Sequence, residues 1–585
     1  MVKHKDNVPN EHAQTESVKT PSKAKQKIAG FKHKTKLNIV SLWKTKKGRI
    51  ALIVGGFIIL LAILFAIPFT RFLALSPFVK KDVTITIVDS KTNQPVSDVT
   101  VTLGKATALT DKNGVAKLKA VPVGQPGLKV TKQYYESYSG AYTVPVVFSP
   151  ASPTIKLVAD GRQIAVTITN KITGDPAADV TVSSSKTSAT TNAQGKATII
   201  LPPNQETWQA TLSGNGYDST DVKLVDDSGT KNTFAVTPSG SLFYLSKATG
   251  TINVMKSDLD GGNATVVVAG TGQEGDNDTS LLSSRDWKYS ALQATRSDDQ
   301  SRIYLVDSSK SGLTLIDEGA ESFNLVGWSG HNFVYTVART GNYWDDKHEA
   351  IKAYNADTGK LSILYETTGT GNSYDYSYQY ISSSYIIGEQ VVFLSIWAAQ
   401  NYYNQSDTAT SNLITTTITT GNQKVIKTFP AKSSLSAKLY EPQALYIRYA
   451  ANGGTGEDFY TYENGSLQGI DSISNDKFYG FYPTYLISPS GKKTLWYEPR
   501  DGKNTVLIGD ATGQGAKTIG NLSDYTPYGW YGANDEYILL SKNGSELYIA
   551  SANKVIGDNG YQPLKVTDYH RAVIYNGYGS GYGGQ

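Results

Sequence analysis

The chain has no cysteine among its 585 residues. No disulfide can staple it, and no thiolate can serve as nucleophile or metal ligand. Each domain must therefore be held by its own core. Histidine is also scarce, and after residue 70 only His331, His348 and His570 remain. They are far apart in the sequence, so the clustered ligands of a zinc site are missing. There is no G-x-S-x-G elbow and no hydrolase-type domain after the last strand-patterned segment, which sets aside the oligopeptidase arrangement. Gly453-Gly454-Thr455-Gly456 has no following helix or lysine, so it is not a phosphate cradle. Asp258 and Asp260 have a D-x-D spacing but lack the further oxygen ligands of a calcium loop. Asp276, Asn277 and Asp278 are adjacent, and Asp345-Asp346 reads as a loop tip. All three groups read as polar turns, and no metal or cofactor is expected.

One long apolar run is present, Ile50 to Phe69, without a charge and with Pro68 as its only proline. As a helix rising ~1.5 Å per residue it would span about 30 Å, the thickness of a hydrocarbon core. The expectation is an uncleaved signal anchor crossing the bilayer over residues 50–69. A cleaved signal peptide is the rival reading. The run is too long for it, the preceding tail is too long, and Ala74-Leu75-Ser76 is a poor cleavage site. Before the run stand thirteen Lys and Arg against three Asp and Glu. This asymmetry places the N-terminus in the cytoplasm and the C-terminal domains outside. The whole chain is +5, so the part after the run carries about −5. Its basic character belongs to the tail, and no nucleic-acid partner is expected. Residues 1–48 are Lys-rich and poor in aromatics, too polar to order themselves. They could lie on anionic lipid head groups or simply fix topology.

The remainder is rich in tyrosine, 38 residues against 16 phenylalanines, and long helical periodicity is hard to find. Val83, Ile85 and Ile87 alternate with Thr84 and Thr86, the period of a half-buried strand. Asp111-Lys112-Asn113-Gly114 reads as a tight turn needing a left-handed glycine. The same order returns 81 positions later. Pro95 matches Pro176, Asp98-Val99-Thr100-Val101 matches Asp179-Val180-Thr181-Val182, Thr110 matches Thr191, and Gly114 matches Gly195. Such a register predicts a tandem repeat, residues 82–159 and 160–238.

The pattern V-x-D, T-x-x-P-V-x-D-V-x-V-x-L, T-D-x-N-G-x-A resembles the carboxypeptidase regulatory-like domain, a transthyretin-like sandwich. The second copy departs at Asn192-Ala193-Gln194-Gly195. The resemblance implies a spacer or a binding module and carries no catalytic residues.

From residue 240 to 577, short strands recur in groups about 40–50 residues long, the period of β-propeller blades. Ile487-Ser488-Pro489-Ser490-Gly491-Lys492 resembles the S-P-D-G-K turn of TolB-like propellers. The segments around Trp328-Ser329-Gly330-His331 and Trp530-Tyr531-Gly532 are looser copies, and His331 reads as a structural turn residue. His570–Asn576 could complete the blade begun at Ser241, and residues 578–585 read as a Gly- and Tyr-rich tail. The expected fold class is mainly β, with one N-terminal transmembrane helix, two tandem sandwiches and a propeller of about seven blades.

Aromatic loops are the functional lead. Tyr376 and Tyr378 lie in a run that alternates with Asp and Ser, and Tyr482, Tyr485, Tyr528 and Trp530 form two further groups. These six are the candidate ligand-binding residues, on the ground that such rings stack on sugars and bind proteins. The expectation is a surface-displayed, non-enzymatic propeller binding an extracellular protein or glycan. The alternatives are a carbohydrate-active enzyme, with Glu349, Glu366, Asp375, Glu389 and Glu498 as candidate acids, and an envelope scaffold.

Overall fold

The computed structural model describes residues 45–66, 72, 75–185, 187–202, 207–226, 231–400, 409–451 and 456–570. The chain divides into two compact units, Met1–Val158 and Ala159–Gln585.

The first unit contains a helix, Lys46–Ala66. The expected membrane span over residues 50–69 is overturned, because no helix among the described residues is long and apolar enough to cross a membrane. The helix takes Lys46, Lys47 and Arg49 into its first turn, and its described part runs to Ala66. The described uncharged part is therefore about 25 Å long at ~1.5 Å per residue, short of a ~30 Å hydrocarbon core. Residues 1–44, with most of the basic tail, lie outside the described residues.

The rest of this unit is a two-sheet sandwich. Strand Lys80–Asp89 pairs antiparallel with Val115–Pro122 and parallel with Thr154–Leu157. Its Val83, Ile85 and Ile87 are fully buried, as the alternation requires. The second sheet orders Ala106–Leu109, Thr100–Leu103, Gly127–Thr131 and Tyr138–Ala141.

The second unit begins with a sandwich of the same order. One sheet holds Lys196–Leu201, Arg162–Asn170 and Asn232–Val236. The other holds Thr187–Thr190, Thr181–Ser184, Thr207–Gly214 and Tyr217–Val225. The repeated residues do repeated work. The Thr110 hydroxyl donates to Val96 O at 2.7 Å and accepts from Val99 N at 2.9 Å. Thr191 does the same with Ala177 O and Val180 N, also at 2.7 and 2.9 Å. Asp111 Oδ1 accepts from the amides of Asn113 and Val115, and Asn192 Oδ1 from those of Gln194 and Lys196. An amide oxygen thus replaces a carboxylate in the second turn without altering it. Gly114 and Gly195 have φ of +71° and +67°, and a Cβ there would sit 2.4 and 2.3 Å from the carbonyls of Ile87 and Ile168. Both the backbone conformation and the close approach require glycine.

Seven sheets follow. Blade 1 has three strands, Leu242–Ser246, Asn253–Ser257 and Thr265–Val268. Blade 2 runs from Ser280–Ser283 to Leu313–Asp317, and blade 3 from Ala320–Ser329 to Lys360–Glu366. Blade 4 has five strands, Gly369–Asn372, Asp375–Ile387, Gln390–Ala399, Ser411–Thr417 and Gln423–Phe429. Blade 5 spans Ser433–Glu441 to Ser466–Ile470, blade 6 Leu486–Ile487 to Lys517–Asn521, and blade 7 Tyr525–Tyr531 to Leu564–Asp568. The fold is mainly β and propeller-like. After blade 7 the chain returns to blade 1, where the His570 amide donates to Leu245 O at 2.8 Å. The rest of the expected closing strand, from Arg571 on, lies outside the described residues.

The second sandwich is fastened to the propeller by one loop. Asn170 Oδ1 accepts from the amides of Ile172 and Thr173, just as Asp89 Oδ1 accepts from Lys91 and Thr92 in the first copy. The surrounding residues differ between copies. Asn170 Nδ2 reaches the Tyr537 hydroxyl at 3.2 Å, and a carboxylate could not donate there. Where the first copy has Ser90, Lys171 pairs with Asp260 at 2.6 Å. Where it has Lys91, Ile172 is 2% exposed within the core of blades 1, 2 and 7. Where it has Gln94, Asp175 meets Lys554 at 2.5 Å. Ile172→Ala in the full chain should therefore cost about 2–5 kcal/mol, read as a lowered melting temperature and faster proteolysis around residues 238–241. Lys91→Ala, at the equivalent position, should change neither. Equal effects from the two would refute a loop-specific attachment.

Candidate functional site

The inner strands of the propeller meet at a cavity of about 190 Å³. Its lining residues come from blades 2 to 7 and sit where the first strand turns into the second, or in five-stranded blade 4 the second into the third. The blades are tied to one another at this level. Trp287 Nε1 of blade 2 donates to Trp530 O of blade 7 at 2.7 Å, and Trp530 Nε1 donates to Leu486 O of blade 6 at 2.8 Å. The hydroxyls of Tyr485 and Tyr385 donate to Tyr440 O and Ala437 O of blade 5 at 2.7 and 3.0 Å. Ser329 Oγ of blade 3 donates to Gly388 O of blade 4 at 3.2 Å, and Trp328 Nε1 donates to Leu282 O of blade 2 at 2.9 Å. Every blade except blade 1 belongs to this girdle.

A second aromatic group lies at the opposite end of the blades. Tyr343 and Trp344, in the loop between the second and third strands of blade 3, meet the hairpin that opens blade 4. Trp344 stacks on Tyr376, with centroids 4.5 Å apart and planes at 26°. Tyr343 contacts Tyr376 at 5.7 Å and Tyr378 at 5.4 Å, and Tyr378 continues to Tyr380 at 6.2 Å. The strand Asp375–Ile387 projects alternate residues to one face, which is why these tyrosines align. Tyr343 is 50% exposed, and Tyr374 at the hairpin tip is 88% exposed. Below them Glu349 accepts from the Ile381 amide at 2.7 Å. Burial raises the Glu349 pKa against the opposing effect of that bond. Burial and the neighbouring phenols and Glu349 also raise the pKa of Tyr378 and Tyr380.

The six sequence candidates thus fall in three places. Tyr485, Tyr528 and Trp530 line the cavity. The polar tips of Tyr485 and Trp530 are spent on the girdle, whereas the Tyr528 ring packs edge-on against Tyr569. Tyr376 and Tyr378 belong to the exposed ladder. Tyr482 joins neither. It packs on the cluster of Tyr446, Phe459 and Phe478, its hydroxyl donates to Lys477 O at 2.8 Å, and burial and then Tyr446 push its pKa up to about 12. Among the candidate acids, Glu366 pairs with Arg339, and Glu498 with Arg500 and the Trp496 indole. Asp258 and Asp260 are engaged by Asn263, Lys171 and Thr237. Sequence reasoning did not single out Tyr343, Trp287 or Arg285. Trp287 had a readable signal, since Ser284-Arg285-Asp286-Trp287-Lys288 occupies the same turn as the motif at Ser488–Lys492.

No known protein-family model matches the chain, and no curated protein matches it. Solved structures similar to it include a prolyl endopeptidase, at 10% identity over 62% of this chain and 48% of that one, with a TM-score of 0.31. The oligogalacturonate lyase of Vibrio parahaemolyticus matches at 10% identity over 56% and 85%, TM-score 0.29, and TolB of Acinetobacter baumannii at 13% over 52% and 74%, TM-score 0.24. The chain spans about half the length of the prolyl endopeptidase it matches. The expectation of a protein without enzymatic activity is overturned, since the solved structures similar to the chain include peptidases and a lyase. At such similarity they assign the chain no reaction.

His331 does more than fill a turn. Its Nε2 lies 2.8 Å from Asp286 of blade 2, and its Nδ1 lies 2.6 Å from Asp357 of its own blade. Asp357 also accepts from Lys288 and the Tyr289 hydroxyl, each at 2.9 Å. Burial disfavours the imidazolium, but the two carboxylates outweigh it and raise the His331 pKa. A raised folded-state pKa contributes stability that is fully present below the unfolded value of ~6.5 and is lost as pH rises through the folded value. The melting-temperature difference between the native chain and His331→Gln should therefore be larger near pH 6 than near pH 9. A difference that is constant or grows with pH would rule out a charged clasp.

Proposed function

We propose that the protein is a recognition protein whose propeller binds a glycan on the ladder of Tyr343, Trp344, Tyr376 and Tyr378. The observation that carries this reading is the stacked, partly exposed ring series itself. A sugar presents a face of C–H groups that packs on an aromatic ring, and its hydroxyls need polar neighbours at the rim. Asp345, Asp346 and Asp375 are exposed beside these rings and supply acceptors. Hydrophobic surface of this kind, rimmed by polar groups, is what interaction sites use. The first sandwich, on its resemblance to carboxypeptidase regulatory-like domains, is read as a spacer.

A second reading is favoured by one observation, the raised pKa of Glu349 beside Tyr378 and Tyr380. A carboxyl whose pKa is raised by burial near a sugar platform is suited to donating a proton to a leaving oxygen. In that case Glu349→Gln would retain glycan binding and abolish release of shorter sugars from the bound glycan.

The test of the main reading is a glycan array with the full chain, followed by calorimetry on the best ligand. Trp344→Ala and Tyr376→Ala should each weaken binding by about tenfold or more. Phe148→Ala, an exposed ring elsewhere, should leave the affinity unchanged. If the folded chain captures no glycan, or both ladder variants bind normally, the proposal fails.

A further inference from the structure

We propose that the channel cavity is a binding site for a small monocarboxylate with an apolar body, held by Arg285. The cavity is lined by aromatic and aliphatic side chains, among them Trp287, Trp328, Trp530, Tyr385 and Ile386, and among the described residues Arg285 is its only charged lining residue. Other arginines of the propeller are paired. Arg296 meets Glu274, Arg302 meets Asp298 and Glu318, Arg339 meets Glu366, and Arg500 meets Glu498. Arg285 has no hydrogen-bond or ion-pair partner among the described residues. Arg285 is half-buried and its nitrogens are not sealed from solvent, and a guanidinium carries five donors in a fork that matches a carboxylate.

The chemistry of the lining narrows the ligand. One cation without a neighbouring Lys or second Arg matches a single negative charge and leaves a phosphate dianion half-compensated. The hydroxyls of Tyr385 and Tyr485 and the indoles of Trp328 and Trp530 already donate to main-chain carbonyls. They offer the ligand ring surface and not hydrogen bonds. The Tyr528 hydroxyl has no hydrogen-bond partner among the described residues, and it supplies a second donor for the carboxylate. The body of the ligand must then be apolar, because nothing else charged faces it. Partial burial lowers the Arg285 pKa, and no anion opposes that shift. This site is independent of the aromatic ladder and of any glycan bound there.

The test titrates the full chain with phenylacetate, 2-naphthoate and octanoate, each against its primary amide and against inorganic phosphate. Tryptophan fluorescence and calorimetry give the readout. At least one carboxylate should bind saturably, with its amide and phosphate weaker by about tenfold or more. Arg285→Gln should lower carboxylate affinity about ten- to a hundredfold, Arg285→Lys should restore part of it, and Tyr528→Phe should lower it by a few-fold. The melting temperature separates this role from a structural one. Removing an unpaired, half-buried cation should leave it nearly unchanged in the free chain. Absence of binding by all three acids, equal binding of acids and amides, phosphate binding as tight as a carboxylate, or Arg285→Gln that melts lower and binds normally would each overturn the proposal.

Discussion

The propeller depends on hydrogen bonds that pass from blade to blade around the channel. A ring of sheets has no covalent closure beyond its single chain, and blades that pack only through flat apolar faces can slide. The girdle removes that freedom. Each indole or phenol fills the wedge between inner strands and places its polar tip on the neighbour's main-chain carbonyl. A buried N–H or O–H must find an acceptor, and a buried carbonyl must find a donor. Each bond is worth only about 1 kcal/mol net, but leaving either group unsatisfied costs about 1–3 kcal/mol. The sequence of bonds therefore defines a register for the blades as well as adding stability. The link from Trp287 to Trp530 carries this register across from blade 2 to blade 7, past three-stranded blade 1. Blades 2 and 3 are pinned again farther out, where Asp317 takes both the Tyr335 hydroxyl and Lys352.

The same constraint sorts the aromatic residues by role. A ring whose polar tip is committed to a neighbouring blade can offer a ligand only its face. Tyr485 and Trp530 are of this kind. A ring whose hydroxyl holds only a neighbouring phenol, at the edge of a projecting hairpin, keeps its face free for a ligand. Tyr343 is of that kind. Abundance of tyrosine is therefore a poor guide to binding. What the phenol oxygen already holds is the better criterion, and it is invisible until the blades are assembled.

Much of the architecture was legible in the sequence because it rests on local chemistry. The register of 81 residues survives because Thr110 and Thr191, Asp111 and Asn192, and Gly114 and Gly195 satisfy the same main-chain groups. Strand alternation and turn residues likewise act within a few positions. The apolar run failed as a predictor because hydropathy is indifferent to where a helix begins and ends. Lys46, Lys47 and Arg49 occupy the first turn of the described helix and shorten its uncharged part. The candidate site was legible only in part. Tyr376 and Tyr378 stood in an alternating strand and could be read. Arg285 could not, since its distinction is the lack of an acidic neighbour from blades up to hundreds of residues away. The asymmetry between the sandwich copies was present in the sequence, as Lys91 against Ile172, but its meaning needed the surface that Ile172 enters.

That asymmetry bears on how the propeller works. A sandwich joined only by a linker would move independently of the blades. Here the loop of the second sandwich places an apolar side chain in the core of blades 1, 2 and 7 and flanks it with two ion pairs. The ion pairs are partly exposed and contribute little alone, so orientation is their main effect while Ile172 carries the energy. The attachment falls on blades 1 and 7, where the ring closes. Anything that opens the ring must expose Ile172, and anything that removes the sandwich must uncover the seam between first and last blades. Attachment and closure are thus one cooperative event. Arg285 lies in blade 2 beside Trp287, whose indole links blades 2 and 7 past blade 1. A ligand that binds the closed ring and not the open one stabilises closure by mass action. The unpaired cation thereby couples occupancy of the channel to the integrity of the ring.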